Sequence, residues 1–251
     1  MVIHRYGEPG APVVLLLHPM LVSGERIADH LGSKLPEGFL LIAPDQGGHG
    51  TDKGEFISPG QEAGKLHRWL IGQGIEEIRL MCAASLGGVT AMELMKRGGL
   101  RFRAVHLDGV PLAKLGGIQA QLAPTAFLRL RKQALKDPAS IRKTLTDMYG
   151  GALSGSMTEQ LCALSPDSVR RILQACAAGC AVPLEAAQIG RLTFEWGEKE
   201  ISLQKGKPLA EKLYPKARII VRPGSDHCEY LGREPEAYAK ELMQELKESD
   251  K

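Results

Sequence analysis

Short apolar runs punctuate the chain, and the segments between them place their apolar residues three and four apart. Residues 13–17, 39–43 and 78–82 are aliphatic-rich runs of five, the pattern of strands covered on both faces. Residues 103–107, 192–196 and 217–221 predict three more strands, and residues 2–6, closed by Gly7, Pro9 and Gly10, predict a short edge strand. Helical spacing covers residues 25–35 and 61–71, with Leu66, Trp69 and Leu70 on the apolar side of the second. It returns from Gly88 through Val89, Ala91, Met92, Leu94 and Met95. It returns again over 235–247, where Tyr238, Leu242 and Leu246 face inward. Strands alternating with helices across short turns predict an α/β fold: a mostly parallel central sheet with helices on both faces.

One region breaks the alternation. Residues 112–190 contain no convincing strand but four helical patterns, at 127–135, 140–149, 157–164 and 167–178. Pro124, Pro138 and Pro166 stand where helices would begin, because proline is tolerated in a first turn. The expected organisation is therefore a core of residues 1–111 and 191–251 carrying a helical lid insertion, 112–190. That insertion holds nine lysines and arginines against five aspartates and glutamates, although the whole chain is only +3. The excess predicts a solvated helical face. A cationic lid selecting anionic substrates is the sharper alternative.

Composition narrows the classes without choosing a function. The chain has 251 residues, 43% hydrophobic and 24% charged, which suits one soluble domain with an insertion. A charge of +3 without aromatic clusters or zinc-finger spacing argues against nucleic acid as a partner. The longest apolar run near the N-terminus is far too short to span a bilayer, and no leader pattern precedes it. Five cysteines without C-x-x-C spacing read as reduced thiols. The expectation is a cytoplasmic protein with no membrane partner, and oligomeric state is left open.

Chemistry concentrates around Ser85. The run Ile78 to Cys82 turns into a helix within a few residues, with Ala83 two positions before the serine and Gly87 two after. A strand that turns sharply into a helix needs small residues on both sides of the nucleophile, and the turn exposes the hydroxyl above a helix N-terminus. Such a serine requires a base, a carboxylate to orient it, and donors for a developing oxyanion. His227 follows the last strand and is the candidate base. Glu200, after the strand at 192–196, is the favoured acid, with Asp108, after the preceding strand, as the alternative and Glu198 a weaker possibility. The backbone N–H of Leu86 is one oxyanion donor; the second comes from the loop His18-Pro19-Met20, where Pro19 has no N–H and Met20 does. His18 and His49 are expected to pack beneath loops. His4, His30, His67 and His106 carry no functional assignment.

Taken in order, these stretches resemble the α/β-hydrolase superfamily, and within it the lid-bearing, esterase-like serine hydrolases. LLLHPM stands at that family's oxyanion loop, LIAPDQGGHG at its A-P-D-x-x-G-x-G loop and CAASLGG at its elbow. FEWGEKE stands at its acid loop and GSDHCEYL at its histidine loop. The resemblance covers roughly residues 11–112 and 191–248. It implies hydrolysis of a small or medium carboxylic ester, thioester or lactone through an acyl-enzyme, with a small-molecule substrate and neither metal nor organic cofactor. Carbon–carbon bond hydrolysis, acyl transfer, and a small-molecule receptor with little turnover are the alternatives that the same family holds open. Pro19 for the usual Gly, Ala83 for the first elbow Gly, and Glu200 for the usual Asp are the departures.

Overall fold

The computed structural model describes residues 1–185 and 189–249, so residues 186–188 of the expected insertion lie outside the described residues, and its final two, Ile189 and Gly190, belong to a strand of the core instead. Seven strands form one sheet: β1 (Val2–Tyr6), β2 (Val13–Leu17), β3 (Leu40–Asp45), β4 (Glu77–Ala84), β5 (Arg101–Asp108), β6 (Ile189–Gly197) and β7 (Arg218–Arg222). Their order across the sheet is β1-β3-β2-β4-β5-β6-β7. β1 pairs antiparallel with β3, and every other pairing is parallel.

Alternation along β2 shows why its five residues are all apolar. Val14 and Leu16 enter the layer that holds α1 (Gly24–His30) and α10 (Pro235–Ser249). Val13, Leu15 and Leu17 enter the opposite layer with α2 (Pro59–Gly72) and α3 (Leu86–Met95). Each face of the strand thus meets helices, and no position is left to water. Tyr238, Leu242 and Leu246 of α10 are buried, as their spacing predicts.

The helix expected over residues 25–35 divides instead into α1 and a separate 3₁₀ turn, Gly32–Lys34, because Gly32 is a poor helix former. Between β5 and β6 come α4 (Ile118–Lys136), α5 (Pro138–Tyr149), α6 (Gly151–Ala163) and α7 (Pro166–Ala178). Pro138 and Pro166 occupy first turns, capped by Asp137 and Ser165. Pro124 does not begin a helix: it lies inside α4, which starts six residues earlier. α8 (Leu203–Leu213), with Gly206 and an internal Pro208, and the five-residue α9 (Glu229–Arg233) complete the chain. Among the described residues no helix is long and apolar enough to cross a membrane.

This topology gathers the candidate residues. His18 follows β2, Ser85 follows β4, Asp108 ends β5, Glu200 follows β6 and His227 follows β7. All five therefore lie at the carboxyl edge of the parallel strands, where open α/β sheets place their ligands.

Candidate active site

β4 carries Ser85 to the sheet's edge, and the turn into α3 holds it in a conformation rare for a residue with a side chain, φ 49° and ψ −112°. The strain is held from both flanks. Ala83 pairs with Leu17 on one side and Leu107 on the other, and the Ser85 N–H donates to the Asp108 carbonyl at 2.8 Å. The small residue two positions later is required by contact: a Cβ on Gly87 would lie 2.1 Å from the Leu17 carbonyl oxygen. Gly87→Ala is expected to unfold the elbow or displace β2, lowering the thermal midpoint by several degrees, which a melting curve reads.

The Ser85 hydroxyl meets His227 Nε2 at 2.8 Å, and His227 Nδ1 meets Glu200 Oε2 at 2.8 Å. Glu200 is itself fixed. Its Oε1 accepts from the Gly197 N–H at 2.7 Å, and its Oε2 also accepts from the Ser202 hydroxyl at 2.9 Å. A buried carboxylate so surrounded by donors assigns the Nδ1 proton to the His227–Glu200 bond and leaves Nε2 free to accept from Ser85. Burial alone would lower the His227 pKa. The hydrogen bond and charge of Glu200, reinforced by Asp108 and Asp226, outweigh it, so the net shift is upward from 6.5.

Asp108, the alternative acid, takes a different place. It is buried, and its Oδ2 accepts a 3.3 Å hydrogen bond from the Tyr238 hydroxyl rather than reaching His227. Burial, then the neighbouring Glu195 charge, pushes its carboxyl up to about 8. Glu198, the weaker possibility, turns its Oε2 to the Gly224 N–H at 2.8 Å. The residue after Asp108 matters more to the histidine. Gly109, at φ +59°, packs so closely that a Cβ there would lie 2.9 Å from His227 Nδ1 and 2.8 Å from Cys228 Sγ. Gly109 and Ser202 escaped the sequence reading. A glycine just past a strand end is a usable signal for the first; the second has none, because its role exists only through Glu200.

On the opposite side of Ser85, Leu86 opens α3, so its N–H is one of the first-turn donors with no partner inside the helix. Met20 lines the cavity, and no turn or loop hydrogen bond among the described residues engages its N–H. His18 is buried beneath this loop. Its Nε2 accepts from the Gln46 N–H at 3.1 Å, so Nδ1 carries the proton and donates to the Pro19 carbonyl at 2.9 Å. That carbonyl belongs to the same trans peptide as the Met20 N–H, and the two point in opposite directions. His18 is pushed down to about 3, by burial first and then by His49, and is neutral. His49 is wholly buried and does not line the cavity.

The cavity above Ser85 measures about 410 Å³. Its floor is Met20, Leu21, Val22 and Ile27, and the helices between β5 and β6 contribute Phe127, Tyr149, Leu153, Met157, Ile172 and Leu173. Among the described residues no lysine or arginine lines it. Three cations of those helices are engaged elsewhere: Arg131 donates to the carbonyls of Leu164 and Cys162, Arg171 pairs with Glu55, and Lys143 is exposed beside Asp147.

The fold has counterparts among solved structures. The chain matches an α/β-hydrolase family protein from Desulfitobacterium hafniense with a TM-score of 0.75 at 22% identity, covering 97% of this chain and 99% of that one. It matches a carboxylesterase of the thaumarchaeon Nitrososphaera gargenis with a TM-score of 0.74 at 16% identity, covering 99% and 94%. An esterase from a Rhodococcus species aligns with a TM-score of 0.71 at 18% identity, covering 98% and 94%. No family model matches the chain, and no curated protein matches it by sequence. The chain thus has the α/β-hydrolase fold, and the esterases among its structural neighbours share that fold with it.

Proposed function

We propose that this chain is a serine hydrolase of neutral carboxylic esters, working through an acyl-enzyme. The observation that carries the reading is the hydrogen-bonded relay Ser85–His227–Glu200 opening into an apolar cavity. Ser85 Oγ attacks the carbonyl carbon while its proton passes to His227 Nε2, and Glu200 stabilises the resulting imidazolium. The carbonyl oxygen, now an anion, lies against the N–H groups of Met20 and Leu86. His227 then gives its proton to the departing alkoxide. Water, deprotonated by the same imidazole, attacks the acyl-enzyme and frees the acid and Ser85. Thioester and lactone carbonyls meet the same groups in the same way.

The four helices between β5 and β6 act as the lid, and they set selectivity for apolar, uncharged acyl groups. A cavity of about 410 Å³ falls in the ordinary range for small-molecule sites. With no lysine or arginine lining it among the described residues, an anionic acyl group would be buried beside Glu200 and Asp226 without a permanent cationic partner.

A p-nitrophenyl ester series tests this. From acetate to octanoate, kcat/KM is expected to rise by up to about fourfold per methylene, since each buried CH₂ contributes about 0.8 kcal/mol. Met157→Trp, filling the lid side, moves the optimum to shorter chains, and the succinate half-ester is turned over at least about tenfold more slowly than butyrate. A fluorophosphonate probe labels Ser85. Labelling at another residue, or a preference for the half-ester, overturns the reading.

A further inference from the structure

His49 has no contact with the cavity, yet both of its ring nitrogens face backbone carbonyls in the loops around Ser85. Nε2 lies 2.5 Å from the Met20 oxygen and Nδ1 lies 3.1 Å from the Gly47 oxygen. A neutral ring carries one proton; on Nε2 it donates to the Met20 carbonyl. His49 therefore holds the peptide that follows Met20, through the Met20 carbonyl, while His18 holds the donor's own Pro19–Met20 peptide through the Pro19 carbonyl.

The loop carrying His49 is in turn grasped from the lid. Gln160 of α6 spans His49 with a single side-chain amide: its Nε2 donates to the Gly48 carbonyl and its Oε1 accepts from the Gly50 N–H, each at 2.9 Å. Those two bonds settle which end of the amide is oxygen. The same helix places Met157 on the cavity wall and Leu161 in the core. An unbroken path thus runs from the lid wall through Gln160, Gly48–Gly50 and His49 to the Met20 carbonyl.

We propose that His49 and Gln160 are positioning residues that fix the peptide after Met20, so that the Met20 N–H is held from both of its flanks as an oxyanion donor and its orientation is coupled to the placement of helix α6. The proposal rests on the Ser85 hydrolase reading, and it adds that the donor is set from outside the cavity by two side chains that never touch substrate. If either is lost, the Met20–Leu21 peptide is released and His18 alone restrains the Met20 N–H, which drifts from the position where charge develops, while the cavity that binds the ground state is unchanged. The loss should fall on kcat and leave KM nearly untouched.

The test compares His49→Asn, His49→Gln, Gln160→Leu and wild type on p-nitrophenyl butyrate, with fluorophosphonate labelling of each. Glutamine places its amide nitrogen where imidazole Nε2 sits, whereas asparagine reaches only as far as Nδ1. His49→Asn is expected to lower kcat by about 100-fold with KM within about threefold, the size of losing one oxyanion donor. His49→Gln recovers to within about fivefold of wild type, and Gln160→Leu loses about tenfold in kcat. Equal activity in the asparagine and glutamine variants overturns the assignment of His49. So does a loss confined to KM. Full kcat in Gln160→Leu overturns the coupling to α6, and that variant serves even if His49→Asn does not fold. Labelling of Ser85 with turnover in wild type, alongside any of those results, sinks the positioning proposal alone; no labelling of Ser85 in wild type sinks the hydrolase reading and this proposal with it.

Discussion

Ser85→Ala is expected to lower ester turnover by at least about 10⁴-fold while leaving the fold intact. Among the described residues the Ser85 side chain hydrogen-bonds His227 alone, and the Nε2 it leaves faces the cavity, where water can replace the hydroxyl. The elbow keeps its backbone bond to Asp108 and its contact with β2, neither of which involves the side chain. What remains after the substitution is binding in the cavity and the two N–H groups, enough to orient water weakly but not to form an acyl-enzyme. A Ser85→Gly variant extends the test. At φ 49° and ψ −112° a residue with a Cβ is strained by about 1–3 kcal/mol, and glycine is not. The glycine variant should therefore be as inactive as alanine but melt at a temperature equal to or above that of wild type. Parallel melting curves and initial rates with a p-nitrophenyl ester read both quantities. Alanine retaining more than about a tenth of wild-type turnover would mean that another group attacks the carbonyl.

Much of this arrangement was legible in the sequence because burial on both faces leaves an unmistakable trace. β2 could be drawn to the residue, since a strand sandwiched between two helical layers has no polar position. The elbow was legible for a related reason: the small residue at 87 is demanded by the Leu17 carbonyl, and Ala83 is fully buried between β2 and β5. Elements whose reason lies across the chain were not legible. α8 carries Gly206 and Pro208, and both lower local helix propensity; packing of the helix against β6 outweighs them. His106 looked unremarkable, yet it lies buried between Glu245, at 3.1 Å, and Glu195, at 3.4 Å. Burial alone would lower it, but those two carboxylates hold it up to about 10, and Arg222 in turn grips Glu195. That cluster joins β5, β6, β7 and α10, and no local pattern could announce it. The choice between Glu200 and Asp108 had the same character. Both follow strands at the right edge, and only the loop that brings Ser202 and Gly197 to one carboxylate distinguishes them.

Glu200→Gln should cost nearly as much as losing the nucleophile, about 10⁴-fold in kcat, because it reverses a proton. The Gly197 N–H obliges the amide to place its oxygen at the present Oε1 position. The amide nitrogen then stands where Oε2 was, 2.8 Å from His227 Nδ1. Two N–H groups cannot face each other, so Nδ1 becomes the acceptor and the ring proton moves to Nε2. The imidazole can then no longer accept from Ser85. Asp108→Asn carries no such consequence. Its carboxyl is already pushed up to about 8, by burial and then by Glu195, and its hydrogen bond is with Tyr238; a change within about fivefold is expected. The pH profile provides an independent reading. The base must be neutral, so kcat/KM falls as pH drops through the His227 pKa, which in the wild type lies above 6.5. Removing the Glu200 charge leaves burial as the dominant influence on the ring, so the acid limb of the residual activity moves to lower pH. If Asp108→Asn proves the more damaging substitution, or if the limb moves upward in Glu200→Gln, the orienting carboxylate is not the one at position 200.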